Sequence, residues 1–415
     1  MRALACLWVS LWTTVAVAEV PLFDRGHLKG LLQSTHYPDD SLFREATSAV
    51  ANDQGMEFRL NFRAGVDRFS VAADYQLLGR FGDSLALSEA FDGLFLVPPA
   101  LPDDDRRWWD LTDTISDRDS RLLVQRLDRL HVSYAGDAAV VRFGRQAVSW
   151  GNGLIYNPMD FFNPFDPAAV DTEYKIGDDM LYAQYLLDSG SDWQFVSVQR
   201  RDEDGDVSSQ VQSNALKFHG FDLEREYDLL LAEHFDDTIV AAGTALNVGE
   251  AVLRGDVMLT DTGSDWQASL VANWSWSWVW GGHNVSAAAE YFFNGFGLRQ
   301  SDYTPEDIAD ATDLTDRLTR GELFTLGRHY LAGTLQVEVT PLLNVIPNLF
   351  VNLGDQSALA QVVAQWDLAE DWQVLAAVNV PVGPAGTEFG GLESGVDGLR
   401  LSVGPSVFAQ LAVYF

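Results

Sequence analysis

Six arginines in the early part of the chain are the residues whose chemistry is easiest to connect to a function. They are Arg59, Arg63, Arg126, Arg129, Arg142 and Arg145. A guanidinium offers five donors in a fork that matches carboxylate and phosphate oxygens. We therefore predict that these side chains line a lumen and bind polar or anionic solutes. The alternative is that they pair with acids on neighbouring strands, such as Asp74 or Asp128, and only brace a wall.

The spacing of these arginines decides which of them share a face of a strand. Arg59 and Arg63 are an even number of residues apart, so both point to the same side. The other two pairs have an odd spacing. Both members of such a pair reach the lumen only if a β-bulge lies between them.

A loop rich in Gly, Asn and Pro follows directly after Arg145. Its two Asn-Pro pairs stiffen the chain, and Gly151 and Gly153 allow close approach of the backbone. Such a loop could fold inward and hold a constriction, or it could form a packed cap outside the barrel with no gating role. The candidate constriction residues are Trp150, Asn152, Asn157, Asp160 and Asn163.

Strands must position these residues, and alternating apolar and polar side chains predict them along most of the chain. Residues 57–64 are the clearest case. The set expected to face lipid is Phe58, Leu60, Phe62 and Ala64, and the set expected to face the lumen is Glu57, Arg59, Asn61 and Arg63. This period of two is typical of a transmembrane barrel strand.

Roughly eighteen such segments are present, within the even-stranded range of outer-membrane barrels. Their centres are near residues 30, 60, 74, 128, 142, 183, 196, 215, 231, 243, 255, 270, 287, 333, 347, 361, 375 and 410. Long links are expected near 35–54, 79–121, 148–178, 201–210, 294–327 and 380–404, and each alternates with a short turn. Outer-membrane barrels sort their connections in this way, with long extracellular loops and short periplasmic turns.

Both ends of the sequence point to export and membrane insertion. Arg2 precedes an apolar run that ends in Ala16-Val17-Ala18, so residues 1–18 are predicted to be a cleaved signal peptide and residues 19–415 the barrel domain. The last strand alternates up to a terminal Phe415, the kind of aromatic end that barrel-insertion machinery recognises. The run from Trp274 to Trp280 contains four tryptophans on one face, which favours an interfacial girdle over a sugar-binding rail.

Composition excludes several other classes. The formal net charge of −33 argues against nucleic acid as a partner. The only cysteine, Cys6, lies in the predicted signal peptide, so the exported chain has no thiol for a disulfide or a metal centre. Lipase, metalloprotease, nucleotide-binding and dinucleotide-binding motifs are missing from the sequence. We therefore predict no cofactor, no metal site and no enzyme activity.

The segment from Phe143 to Pro167 carries a resemblance to a known family. It contains Gly144-Arg145-Gln146, then Trp150-Gly151, and later Asn157-Pro158-Met159-Asp160-Phe161-Phe162-Asn163-Pro164. This resembles the Gly-Arg-Gln-x-x-x-Trp-Gly and Asn-Pro-x-Asp-x-Phe-Asn-Pro pattern of porin-like outer-membrane proteins related to alginate export. The resemblance covers about 25 residues, and it implies a barrel whose lumen is narrowed by an inward loop.

These observations predict an all-β, antiparallel up-and-down barrel of 16–18 strands in the outer membrane of a Gram-negative bacterium. The predicted function is a channel, porin or specific exporter or importer, that passes small or anionic polar solutes by diffusion. Outer-membrane lipid, lipopolysaccharide and the insertion machinery are the predicted partners. A lipid-modifying enzyme of the outer membrane, and a structural or receptor barrel without conductance, are the alternatives.

Overall fold

A computed structural model describes residues 22–91, 94–97, 100–118 and 120–415, and the predicted signal peptide lies outside these ranges. The described chain forms one closed antiparallel barrel. Its first nine strands are β1 (Phe23–His36), β2 (Val50–Val66), β3 (Phe69–Gly82), β4 (Thr112–Arg118), β5 (Arg121–Ala135), β6 (Ala139–Gln146), β7 (Asp178–Leu186), β8 (Asp192–Val198) and β9 (Ser213–Phe221).

The remaining strands complete the wall. They are β10 (Arg225–His234), β11 (Asp237–Val248), β12 (Ala251–Asp261), β13 (Trp266–Trp280), β14 (His283–Phe293), β15 (His329–Thr340), β16 (Leu343–Asn352), β17 (Ser357–Ala369), β18 (Trp372–Val382), β19 (Leu392–Glu393), β20 (Arg400–Leu401) and β21 (Ser406–Tyr414). β1 pairs with both β2 and β21, and this second pairing closes the barrel. β19 and β20 form a separate small hairpin.

The predicted barrel of eighteen strands is confirmed. Each predicted centre lies inside one wall strand, from residue 30 in β1 to residue 410 in β21. The strand that sequence reasoning missed is β4, which pairs with residues 121–126 of β5 while β6 pairs with residues 130–135 of the same strand. β4 therefore takes the place of β6 beside the first half of β5.

Short helices occupy the long connections. They are α1 (Leu42–Ala46), α2 (Leu85–Ala90), α3 (Pro305–Asp310) and α4 (Thr312–Thr319). None of the helices in the described ranges has both the length and the apolar character needed to cross a bilayer. Connections at one end of the barrel are short, as at 249–250 and 281–282, and those at the other end include 83–111, 147–177 and 294–328. We call these the short-turn end and the long-loop end.

The outer face of the barrel is apolar, and the inner face carries buried polar and charged side chains as well as apolar ones. In β10, Leu229 and Leu231 point outward and are 54% and 56% exposed, while Asp228 and His234 point inward and are buried. The predicted division of residues 57–64 is confirmed, because Arg59 and Asn61 are buried inside. Exposed apolar side chains in this number suit a hydrocarbon environment better than water.

Candidate functional site: the inward loop and the arginine wall

The connection between β6 and β7, residues 147–177, lies against the inner face of the barrel, and we call it the inward loop. Along its length it bonds in turn to Asp256 on β12, Glu290 on β14, Gln361 on β17 and Lys29 on β1. These side chains have the inward orientation in their strands. The loop therefore follows the inside of the wall through most of its circumference, and it does not cap the barrel from outside.

Glu290 is the strongest anchor of the inward loop. Its carboxylate accepts three successive backbone N–H groups, from Leu154 at 2.7 Å, Ile155 at 3.1 Å and Tyr156 at 2.6 Å. Asn273 on β13 donates to the same carboxylate at 3.1 Å. Four donors converge on one buried carboxyl group, so this arrangement fixes the backbone of the loop.

A second carboxylate holds the turn just before it. Asp256 accepts the backbone N–H of Asn152 at 2.6 Å and its side-chain amide at 2.7 Å. Asn273 also donates to the carbonyl oxygen of Asn152 at 2.9 Å. Both anchor acids were missed by sequence reasoning. The available signal was an acid at an inward position of an otherwise small or apolar strand.

Apolar packing holds the middle of the loop against β7–β12. Met159, Phe161 and Phe162 join a buried cluster with wall residues such as Met180 and Ile239. The two phenylalanine rings are tilted by 45° to each other, and their centroids lie 4.5 Å apart. One side of the lumen is thus filled by a packed core.

The return limb of the loop crosses the seam where the barrel closes. Lys29 on β1 contacts Asp171 at 2.7 Å and Glu173 at 2.8 Å. Gln410 and Tyr414 on β21 donate to the same two carboxylates at 3.0 and 2.9 Å. The loop therefore joins the first and last strands from the inside.

The candidate constriction residues mainly define the shape of the loop. Trp150 is buried and donates to Gln194 at 2.8 Å, and Asn157 donates to the carbonyl oxygen of Trp150 at 2.7 Å. Asp160 is buried and forms an ion pair with Lys175. Asn163 has a φ of 52°, a left-handed conformation that asparagine tolerates better than most residues. The fifth candidate, Asn152, is the one held by Asp256.

Four of the six arginines lie together on β2 and β5. A register shift opposite Asp74 and Tyr75 places Asp128 as an extra residue between Leu127 and Arg129. This is the bulge that the spacing of Arg126 and Arg129 requires if both are to face the lumen. Arg129 reaches inward, where it donates to the carbonyl oxygen of Lys175 in the inward loop.

Ion pairs neutralise much of this charge. Arg59 lies 2.5 Å from Asp128 and 3.4 Å from Asp74, and Asp74 also pairs with Arg63. Arg129 contacts Asp128 at 2.7 Å. The arginines therefore pair with Asp74 and Asp128, as the bracing alternative expects. Removing one partner of such a buried pair would leave an uncompensated charge.

Arg126 is the exception within this group. Its side chain is fully buried, yet its nearest carboxylate oxygens are 3.6 Å away on Asp104 and 4.0 Å away on Asp128. All three of its guanidinium nitrogens, and two of those of Arg59, have no hydrogen-bond acceptor among the described residues. Buried donors normally have a partner, so Arg126 is the least satisfied of these arginines.

Arg142 and Arg145 have different surroundings. Arg142 is exposed and its guanidinium lies 5.3 Å from the centre of the Tyr182 ring. Arg145 is fully buried and pairs with Asp179 at 2.8 Å and Asp104 at 2.7 Å. Between them Gly144 has a φ of 127°, a conformation that favours glycine. It directs the two arginine side chains into different surroundings without a bulge in the strand. Arg145 is therefore a buried part of the wall, whereas the side chain of Arg142 is accessible.

A serine, a histidine and a glutamate meet at the long-loop end. Ser213 Oγ lies 2.7 Å from His234 Nδ1, and His234 Nε2 lies 2.9 Å from Glu322 Oε1. Although burial opposes it, His234 and Arg320 lower the pKa of Glu322. Ser213 is completely buried and already accepts a hydrogen bond from Arg200 at 2.6 Å. A substrate has no access to this hydroxyl, so these three residues do not form a hydrolase site.

Glu388, in the connection after β18, bonds to β15, to the end of β16 and to the connection between β14 and β15. It accepts hydrogen bonds from Tyr330 at 2.5 Å, from Asn352 at 2.8 Å and from the backbone N–H of Leu326 at 3.1 Å. Burial raises the pKa of Glu388 to about 7. The network gives this end of the barrel a defined shape.

Comparisons with known proteins agree with this architecture. No family model and no curated protein sequence matches the chain. Solved structures do. OccAB1 of Acinetobacter baumannii has a TM-score of 0.52 at 10% identity, with 96% of this chain and 98% of that chain covered.

Two further structures are equally similar. OccK11 (OpdR) of Pseudomonas aeruginosa has a TM-score of 0.53 at 10% identity and covers 94% and 95% of the two chains. A BenF-like porin of Pseudomonas fluorescens Pf-5 has a TM-score of 0.51 at 8% identity and covers 94% and 97%. The chain has a porin fold. At these identities the likeness carries the fold and not the solute.

Proposed function

We propose that this protein is a channel in the outer membrane of a Gram-negative bacterium, through which small polar solutes, anions among them, diffuse past the inward loop. The observation that carries the proposal is the closed wall of eighteen strands with an apolar outside, together with an inside whose polar side chains anchor the loop. A scaffold would not need a lumen whose width is set by its own loop. The porin fold of the compared structures supports the same function.

The proposal assigns different roles to the arginines. Arg59, Arg129 and Arg145 brace the wall through their ion pairs. Arg63, whose side chain is 36% exposed, and the exposed Arg142 are the cations that a passing anion meets. Arg126 is fully buried, so it belongs to the wall with the first three. Hydrogen-bond donors on a channel wall favour solutes with carboxylate or phosphate groups.

Finer parts of the assignment follow from the sequence. We propose a relation to alginate-export-type porins from the pattern in residues 143–167. Phe415 stacks on Phe23 at the short-turn end and is 54% exposed, where insertion machinery could bind it. The long loops would then face lipopolysaccharide and the short turns the periplasm.

The test is single-channel current of the refolded full chain in a planar bilayer, with the reversal potential measured under a KCl gradient. We expect an ion-conducting channel whose preference for chloride falls in R63Q and in R142Q. Arg68, an exposed arginine in a short turn, provides the matched control R68Q. A folded barrel without conductance would refute the channel, and a reversal potential that R63Q and R142Q leave unchanged would refute the role of these arginines.

A further inference from the structure

A cavity of about 1300 Å³ lies at the long-loop end, and we call it the mouth cavity. Its walls come from the connection after β3, the end of β4, the connection between β14 and β15, and the connection after β18. Asp166 of the inward loop also lines it. The cavity therefore adjoins the inward loop on the side of the long loops.

The walls of the mouth cavity are largely apolar. The aromatic and aliphatic side chains that define them include Phe95, Phe324, Phe389, Leu94, Leu323 and Leu326. Apolar surface around an open, water-filled entrance is costly unless something covers it. Ligand pockets combine walls of this kind with a few polar groups that fix orientation. The walls thus suit a solute with an apolar body.

The charged groups in the lining have one dominant sign. They are Glu89, Asp103, Asp117, Asp166, Glu388 and Arg118. Glu388 is already bound by Tyr330 and Asn352. Glu89 and Asp117 accept no hydrogen bond from the described residues, and Asp166 uses one oxygen for the backbone of Ala168. The cavity therefore offers carboxylate oxygens to a ligand and has one cation among the described residues that line it.

We propose that the mouth cavity binds an organic cation with an apolar body, such as an aryl- or alkyl-substituted ammonium ion. The phenylalanine rings attract a cation through their faces as well as contacting its apolar part, and Asp117, Glu89 and Asp166 balance its charge. The site differs from the arginine wall deeper in the barrel, which has donors for anions. The proposal rests on the proposed channel only for its electrical readout. A ligand in the mouth cavity would obstruct the lumen and so reduce the channel current.

The test uses the refolded full chain in a planar bilayer, with benzyltrimethylammonium added to one side at a time. We expect block from the long-loop side at a concentration about tenfold lower than from the other side. Tetramethylammonium has the charge without the ring and sodium benzoate has the ring with the opposite charge, and both should block at least about tenfold more weakly. D117N and F324S should each raise the half-blocking concentration about three- to tenfold. Asp204 lies in a different long loop and provides the matched control D204N.

Several outcomes would overturn the assignment. Equal block by tetramethylammonium would show that charge alone is sensed, and equal block by benzoate would show that the ring alone is sensed. Half-blocking concentrations that D117N and F324S leave unchanged would place the ligand elsewhere. If the chain does not conduct, calorimetric titration of the same salts onto the protein in nanodiscs separates the two proposals. Selective binding there would support the mouth cavity while the channel fails, and no binding would overturn both.

Discussion

The most direct test of the inward loop is the substitution E290Q. Glutamine has the shape of glutamate but replaces one acceptor oxygen with a donor. In the most favourable orientation the remaining oxygen still accepts from Ile155 and Tyr156, while the Leu154 N–H and the side-chain amide of Asn273 face another donor. A buried N–H without an acceptor costs about 1–3 kcal/mol. The equilibrium between docked and released loop should therefore shift towards release by about 5- to 150-fold.

Hydrogen exchange of residues 154–156 in nanodiscs, read by mass spectrometry, measures this shift directly. We expect E290Q to lower their protection by that factor, and channel recordings to show a larger or noisier current. Glu338 accepts a hydrogen bond from Asn284 at 2.8 Å near the short-turn end and has no bond to the loop, so E338Q is the matched control. If protection at 154–156 is the same in E290Q and E338Q while the strands stay protected, the carboxylate does not anchor the loop.

Three further predictions concern the long loops, the wall and the seam. Because the pKa of Glu388 is raised to about 7, the stability that its protonated form contributes is complete below about pH 4.5 and is lost as the pH rises through 7. The hydrogen-exchange protection factor of the Leu326 amide should therefore fall between pH 5 and 8, and E388Q should remove this trend. Gly144 has a positive φ and a Cβ there would lie 2.2 Å from a carbonyl oxygen, so G144A should abolish refolding judged by heat-modifiable gel mobility, whereas G30A, with open space, should refold. Replacing Lys29 with methionine leaves two partly hydrated carboxylates unpaired, so K29M should lower the free energy of unfolding by about 1–3 kcal/mol, and an unchanged urea midpoint would contradict the seam contact.

The wall could be predicted from the sequence because one local rule repeats in every strand. Alternation in residues 57–64 is enough to place Arg59 inside, since period-two geometry needs no knowledge of distant residues. β4 was missed because it pairs with part of a strand and does not cross the wall, so its sequence lacks a complete alternating stretch. The anchors of the loop depend on contacts over more than a hundred residues, such as Asn152 to Asp256, and no local pattern encodes them.

The distribution of charge inside the barrel follows from the same geometry. A loop inside a barrel exposes backbone N–H groups that no strand can pair, and inward carboxylates such as Glu290 and Asp256 satisfy them. These N–H groups, and not an arginine, are the partners of Glu290 and Asp256. The arginines on β2 and β5 instead lie close to Asp74 on β3 and Asp128 on β5, which compensate much of their charge. A lumen rich in both signs can therefore present few accessible cations, and charge selectivity should depend on Arg63 and Arg142 more than on the total number of arginines.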